Sequence, residues 1–433
     1  MRSFKGSALA AEFGYLPYLC TMTSSVMLSL ILALFVYLAL VRICRYRRVN
    51  KSTARYPGYG IGIDRLELTP GEAQQIVQDS LLYDAPLTML LGFQITLFKV
   101  FGIPTIASTF YKSGHLMRET DLNKRLVDTV TLMATILCNT YPSQANIADE
   151  DPRAAIALAR VNWIHTRYKI KNEDYLFNLA LLILEPIQLT EHFNWRPHSL
   201  LEKKAIFTLW TNIGESMGIK NIWSTFEEME QWTTSYRKEN IMPSEEAYKL
   251  SRATINHFLN GIPELLGLRF VAYNFFLTLL DEQSRLALQL PPPSPAIAFI
   301  ILTLFRARVW IVRYLCLPRL SPSLWVPMDT EDTSTTTGIH RLQAVLLRSS
   351  GPYYYPEKTG IALKIQSLLI MLGLQDPNKI PGKKWRSEGY RLEELGPTQW
   401  ENVGHEKVME AASKIQGHPI TGIWSLLSRK KGV

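Results

Sequence analysis

The feature that most constrains this 433-residue chain is the uncharged stretch from Phe13 to Val41, whose densest part, Val26 to Val41, reads VMLSLILALFVYLALV. A helix crossing a bilayer needs roughly 20 predominantly apolar residues, and this stretch supplies them. It is longer than the roughly 7–15-residue apolar region of a secretory signal, and no small-residue cleavage site follows. Basic residues follow instead: Arg42, Arg45, Arg47 and Arg48, then Lys51 and Arg55. Only Arg2 and Lys5 precede it, partly offset by Glu12. An excess of Lys and Arg marks the cytosolic flank of a span. The expected topology is a single pass, with a short lumenal N-terminus over 1–21, a transmembrane helix over 22–41 and a basic juxtamembrane linker over 42–68. Everything beyond is expected to be cytosolic.

A second apolar stretch, Ala296 to Leu315, contains Arg306, Arg308 and Arg313. Three arginines near a helix centre cost roughly 7–10 kcal/mol on the insertion scale, whereas about a dozen apolar residues return about 4–7. The cost wins, so this stretch reads as a helix of the folded domain, resting on the membrane surface. The chain ends in Lys430-Lys431-Gly432-Val433, which looks like a dilysine retrieval signal for the endoplasmic reticulum, an address read by a receptor. The expected location is therefore the endoplasmic reticulum membrane.

At 47% hydrophobic residues the chain has enough apolar material for a large buried core. The balance of 47 Lys and Arg against 38 Asp and Glu gives a net charge of +9, part of it beside the apolar stretch and at the C-terminus. No basic stripe interleaved with aromatics, zinc-finger spacing or RNA-recognition signature accompanies that charge, so no nucleic-acid partner is expected. Cys20, Cys44, Cys138 and Cys316 form no CxxC pair and read as neither a disulfide framework nor a zinc site.

Helix signals dominate beyond the anchor. Thr69-Pro70-Gly71-Glu72 is a capping box with proline at the first helical position, and Ser199 with Glu202 and Ser224 with Glu227 repeat the spacing. Asn172 is expected to cap a helix that stops before Pro186. Negative charge at Asp149 to Asp151 precedes a further start at Pro152. Apolar residues recur at spacings of three and four, without sustained alternation, so the fold class is all-α. The proline run at 291–295 is a stiff break, and Asp329 to Gly338 reads as a polar loop. One helical domain over 69–412 is expected, followed by a tail over 413–433.

Two groups of residues stand out as carriers of chemistry. On a helix starting at Pro152, Leu158, Val161, His165 and Tyr168 share a face, so His165 points with the apolar stripe. Such a histidine is either a satisfied core residue or an axial ligand to a haem iron. Arg125 and Thr129, four apart, project from one helical face. A guanidinium and a hydroxyl so placed suit a haem propionate or a distal ligand, while Asp128 offers Arg125 an ordinary surface partner. The chain has no HExxH, GxSxG or Walker A motif. It also lacks the paired helical spacing of di-iron bundles and the cysteine setting of cytochromes P450.

The serial order of several segments adds a resemblance. FGIPTIASTFYKSG (101–114), RLVDTVTL (125–132), ARVNWIHTRY (159–168), FNWRP (193–197), FTLWTNIGESMGI (207–219), GPYYYP (351–356) and GYRLEELGP (389–397) occur in sequence. They resemble the ER-bound oxygenase family typified by the farnesyl-chain-cleaving oxygenase of mycophenolic acid biosynthesis, itself distantly related to the bacterial rubber oxygenase, or latex-clearing protein. The resemblance covers about residues 70–410. It implies a globin-like helical domain using haem b and O₂. It implies His165 as the haem-iron ligand, Arg125 and Thr129 as the family's arginine–threonine pair, and Asp84 in YDAP as the acidic residue where relatives usually carry Glu. Where rubber oxygenases place a lysine before the threonine, this chain has Asp128, which puts a lysine-like distal ligand in doubt. Arg160 and Arg196 fall on family-typical positions without an assigned role. The implied function is cleavage of a carbon–carbon double bond in an apolar prenyl or polyketide-derived substrate of secondary metabolism, with pathway enzymes at the same membrane as partners. Hydroxylation, epoxidation or oxidative rearrangement on the same fold, or a non-catalytic membrane scaffold or lipid-binding role, are the alternatives.

Overall fold

The computed structural model describes residues 8–56, 68–140, 151–260, 262, 264, 267–327, 340–345, 352–372, 375, 377 and 380–426. The expected polar loop at 329–338 and the dilysine end lie outside the described residues. The fold is all-α: among the described residues the one extended pairing is an isolated antiparallel bridge between Leu342 and Tyr390.

Helix α1 (Ala8–Arg55) contains both the apolar stretch and the start of the basic segment. The expected linker over 42–68 therefore begins as helix. RICRYRRVNKSTAR contains no glycine or proline to break it, and the next proline along the chain is Pro57. The domain follows in order: α2 (Pro70–Asp79), a π-turn (Ser80–Asp84), α3 (Pro86–Phe101), α4 (Pro104–Ser113), α5 (Glu119–Cys138), α6 (Arg153–His165), α7 (Asn172–Phe193) and α8 (Leu200–Ser216). Then come α9 (Phe226–Asn240), α10 (Glu245–Leu259), α11 (Leu268–Leu279), α12 (Glu282–Ala287), α13 (Pro295–Tyr314), α14 (Gly360–Met371) and α15 (His405–Gln416).

The capping boxes at Thr69 and Ser199 form as read, each serine or threonine oxygen accepting from the third helical N–H while the glutamate accepts in return. Three expectations are corrected. The cap of α9 is Thr225, which accepts from the N–H of Glu228, because the same Glu228 carboxylate takes the N–H of Ser224. Lys171, not Asn172, holds the cap position of α7; the Asn172 amide instead bonds both the N–H and the carbonyl of Lys220. The helix also does not stop before Pro186 but runs through it to Phe193. Gly92 of α3 lies so close there that a Cβ would sit 2.5 Å from the Pro186 Cα, and the buried Lys99–Glu185 ion pair at 2.6 Å ties the same two helices. Tertiary contact therefore offsets the hydrogen bond that proline removes.

The buried side chains form two clusters. One gathers α2, α5, α6, α8 and the C-terminal segment; the other gathers α3, α4, α10, α11 and α13. Buried polar anchors strap the C-terminal segment over the first. Arg160 of α6 donates to the carbonyls of Leu395, Trp400 and Val403 at 2.7, 2.8 and 3.0 Å. Asp128 of α5 accepts from Lys124, Tyr354 and the Gly396 N–H at 2.6, 2.7 and 2.9 Å.

Helix α1 docks on the domain through its basic end. Tyr37 donates to the Leu315 carbonyl at 2.8 Å, Arg45 to the carbonyls of Cys316 and Leu317, and Arg48 to the Asp84 carboxylate at 3.1 Å. Arg196 bridges Asp84 at 2.8 Å and Glu202 at 2.6 and 2.7 Å. Beneath this cluster His198 is buried, with Nε2 3.0 Å from Ser80 Oγ and Nδ1 unpartnered.

Burial, ahead of the neighbouring charges, lowers the His198 pKa to about 4. Between that value and the ordinary range near 6.5, the unfolded chain binds more protons than the folded one, so stability falls as pH falls. Linkage gives a loss of about 2 kcal/mol at pH 5 from this group. Thermal unfolding of the detergent-solubilised protein at pH 7.5 and pH 5 should show the drop. His198→Gln should flatten it by that amount; an identical pH slope in the variant would contradict the assignment.

Candidate functional site

An internal cavity of about 270 Å³ lies where the two apolar clusters meet. Phe93, Ile164 and Trp210 line it from one cluster, Val100, Leu116 and Leu126 from the other. Close packing leaves few voids larger than a water molecule in a protein interior, so an apolar hollow of this size between two cores is a binding-site feature.

Besides Thr96 and Thr129, four polar side chains on four helices line this space: Gln94 from α3, Arg125 from α5, His165 from α6 and Asn178 from α7. His165 is the last residue of its helix, and its ring centroid lies 5.7 Å from that of Tyr175. Its Nδ1 is sealed inside the protein without a hydrogen-bond partner, which leaves Nε2 as the nitrogen with access to the cavity. Burial, and then the charge of Arg125, lower its pKa to about 4, so the imidazole is neutral at pH 7. A neutral imidazole is the form that binds a metal. Tyr168, expected on the same helical face, lies beyond the helix end but joins His165 and Arg125 around an adjoining space of about 110 Å³.

Arg125 borders three hollows: the apolar cavity, the space beside Tyr168, and a polar cleft of about 370 Å³ shared with His115, Arg118, Asp121 and Lys124. Its guanidinium makes no hydrogen bond or ion pair with the described residues. Burial lowers its pKa, countered by Tyr168 and Asp128 at longer range. Asp128, which spacing offered as its partner, is turned to Lys124, Tyr354 and Gly396 instead. A guanidinium that faces these hollows without a protein acceptor is placed to meet an anion. Thr129 lines the same cavity, but its hydroxyl proton is given to the Arg125 carbonyl at 2.7 Å, so only its oxygen lone pairs remain available.

Asp84 is not brought together with these residues. It sits in the ion cluster under α1 with Arg48 and Arg196, and the Trp195 indole donates to its carbonyl at 3.1 Å. Arg160 and Arg196, the two family-typical arginines, both act as anchors of the fold, one on carbonyls and one on carboxylates. Spacing arguments missed Gln94 and Asn178. Each was visible as a lone amide inside an apolar run, LLGFQITLF and FNLALLI, where a polar group needs a reason to be buried.

Among the described residues no three His, Cys, Asp or Glu side chains gather as a set of metal ligands. A single accessible imidazole, a guanidinium and two amides around an apolar hollow instead suit a large flat or elongated ligand with an anionic end.

Comparison with known proteins gives relatives of consistent description. The ER-bound oxygenase mpaB' of Penicillium brevicompactum is 26% identical over 427 aligned residues, covering 93% of this chain and 94% of the relative. The ER-bound oxygenase mpaB of Penicillium roqueforti (strain FM164) is 26% identical over 276 residues, covering 59% of this chain and 87% of the relative. The ER-bound oxygenase mpaB of Penicillium brevicompactum is 30% identical over 223 residues, 48% of this chain and 55% of the relative. No protein-family model matches the chain.

A charge held without a partner costs stability. Arg125→Met, which keeps length and removes charge, is expected to raise the thermal midpoint by ~2–4 °C. Differential scanning fluorimetry checks this, and a lowered midpoint would mean that the guanidinium has a stabilising partner.

Proposed function

We propose, from the premise that this chain is a relative of the ER-bound oxygenases along nearly its whole length, that it is a membrane-anchored oxygenase of the endoplasmic reticulum. In this reading haem b is held at His165, and O₂ cleaves a carbon–carbon double bond of an apolar prenyl or polyketide-derived substrate. The observation that carries it is the pairing of a neutral, unbonded imidazole with a partnerless guanidinium on one apolar cavity.

The residues fit the group. An iron at His165 would have to bring its other ligands with it, which a porphyrin does, and Nε2 is the nitrogen left free to bind it. Arg125 stands between the apolar cavity and the polar cleft, so it would take a propionate while the ring faces the apolar walls. Haem would supply the binding and activation of O₂. The balance needs no outside reductant: the two oxygen atoms of one O₂ end in two carbonyl groups as both bonds of the alkene are broken. The chain's own part is to hold the substrate's double bond among Phe93, Leu182 and Trp210, to keep water out, and to orient polar substituents through Gln94, Asn178 and the Thr129 oxygen. Asp84 acts as a positioning residue, holding the α1 junction rather than touching substrate. Helix α1 spans the membrane once, with its basic end and the domain on the cytosolic side.

The purified protein should show a Soret band that is lost in His165→Ala and weakened in Arg125→Met. A colourless, iron-free protein after expression with ample porphyrin supply would sink the haem assignment. Under ¹⁸O₂, mass spectrometry should find one labelled oxygen in each of two carbonyl fragments. A single labelled oxygen on an uncleaved product would replace cleavage with hydroxylation or epoxidation.

A further inference from the structure

Helix α13 turns its apolar side outward. Positions 299, 300, 303, 304, 307, 310, 311 and 314 form one exposed stripe at helical spacing. Phe299, Leu304 and Trp310 on it are 70%, 64% and 56% exposed, while Ile301 and Phe305 on the opposite side are buried. The stripe runs for about 22 Å at the α-helical rise. Leu320, just beyond the helix, is 95% exposed. A contiguous apolar surface of this kind needs a cover.

The docking of α1 indicates which cover. Tyr37 lies within the apolar part of α1 and donates to the Leu315 carbonyl; Arg45, about 12 Å further along the helix, donates to the Leu317 carbonyl. The end of α13 therefore lies level with residues 37–45 of α1, where the apolar stretch gives way to the basic one, at the depth where a span leaves the bilayer. By length and composition α13 would itself qualify as a span. Its attachments place it along the domain instead. At its start the Ser294 N–H donates to Asn274 of α11 at 2.6 Å, at its middle Phe305 packs on Phe193 and stacks on Phe275, and beyond its end the Ser323 N–H donates to the Leu82 carbonyl at 2.7 Å. A helix crossing the bilayer would have to leave all three.

We propose that the outward face of α13, continued through Leu320, lies embedded in the interface of the leaflet from which α1 emerges. The domain is then held by two different elements, one crossing the membrane and one lying in it. Arg306 and Arg313, beside the stripe, reach the phosphate layer as basic residues of interfacial helices do. The lipid side is also close to the cavity: Phe305 packs on Phe275, Phe275 on Phe276, and Phe276 on Phe258, which lines the cavity. The seating rests on α1 being a span and on no property of haem or of the reaction.

The test is photolabelling of the full chain in phosphatidylcholine–phosphatidylethanolamine vesicles with an apolar carbene precursor dissolved in the bilayer, mapped by mass spectrometry. Adducts are expected on α1 and on Phe299, Leu304, Trp310 and Leu320, with none on Ile301 or Phe305. In a variant carrying Phe299→Glu, Leu304→Glu and Trp310→Glu, all on the surface, adducts over 299–320 should fall at least tenfold while those on α1 stay constant. Adducts confined to α1, or spread over both faces of α13 as in a second span, would overturn the seating. Absence of adducts from α1 would remove the anchor as well.

Discussion

The geometry of the site depends on one buried carboxylate. Asp128 is fully enclosed, and three donors meet its side chain: Lys124, Tyr354 and the Gly396 N–H. Burial and the carboxylate together push the Tyr354 pKa well above its ordinary value, which keeps its hydroxyl protonated and donating. These bonds fix the rotation of α5 about its axis. With Asp128 turned to the C-terminal segment, its helical neighbours Arg125 and Thr129 are turned to the cavity. Arg160 does the same for α6 through three carbonyls of that segment, and so sets where His165 emerges. Gly396 sits between them with φ at 120°, where any Cβ would meet Ile164 at 2.6 Å, so the segment can come this close only with glycine there.

Two anchors working from outside thus leave the inside free. The polar anchors that hold the fold are directed at protein partners: Asp128, Arg160, Arg196 and the Lys99–Glu185 pair all bond across helices or to the C-terminal segment. Gln94, Arg125, His165 and Asn178 make no such side-chain bonds with the described residues. What sets the cavity apart is that an imidazole, a guanidinium and two amides from four helices converge on one apolar hollow, the arrangement of a binding site.

Much of this was legible in the sequence, for identifiable reasons. The long apolar N-terminal helix, the helical class and the caps at Thr69 and Ser199 depend on local chemistry and composition, and they were readable. Spacing brought His165 and the Arg125–Thr129 pair to apolar or shared faces, and the structure sets them around one cavity. What escaped was set by contacts between distant segments. Pro186 stays inside a helix because Gly92 approaches it. Asn172 leaves its cap because Lys220 is nearby. Asp84, named only through the resemblance, is drawn to arginines from α1 and from the segment after α7, away from the cavity. Gln94 and Asn178 carried a signal, but a single amide in an apolar run points nowhere until the facing helix is known.

The division of the core into two clusters has a thermodynamic consequence. A cavity of about 270 Å³ between the two clusters leaves the side chains that face it without packing partners across it. Whatever occupies it becomes the missing centre of the hydrophobic interior and joins the halves. Occupancy and folding are then linked by mass action. The amount of intact protein in a cell would follow the supply of that occupant, and chains made in its absence would be the first degraded.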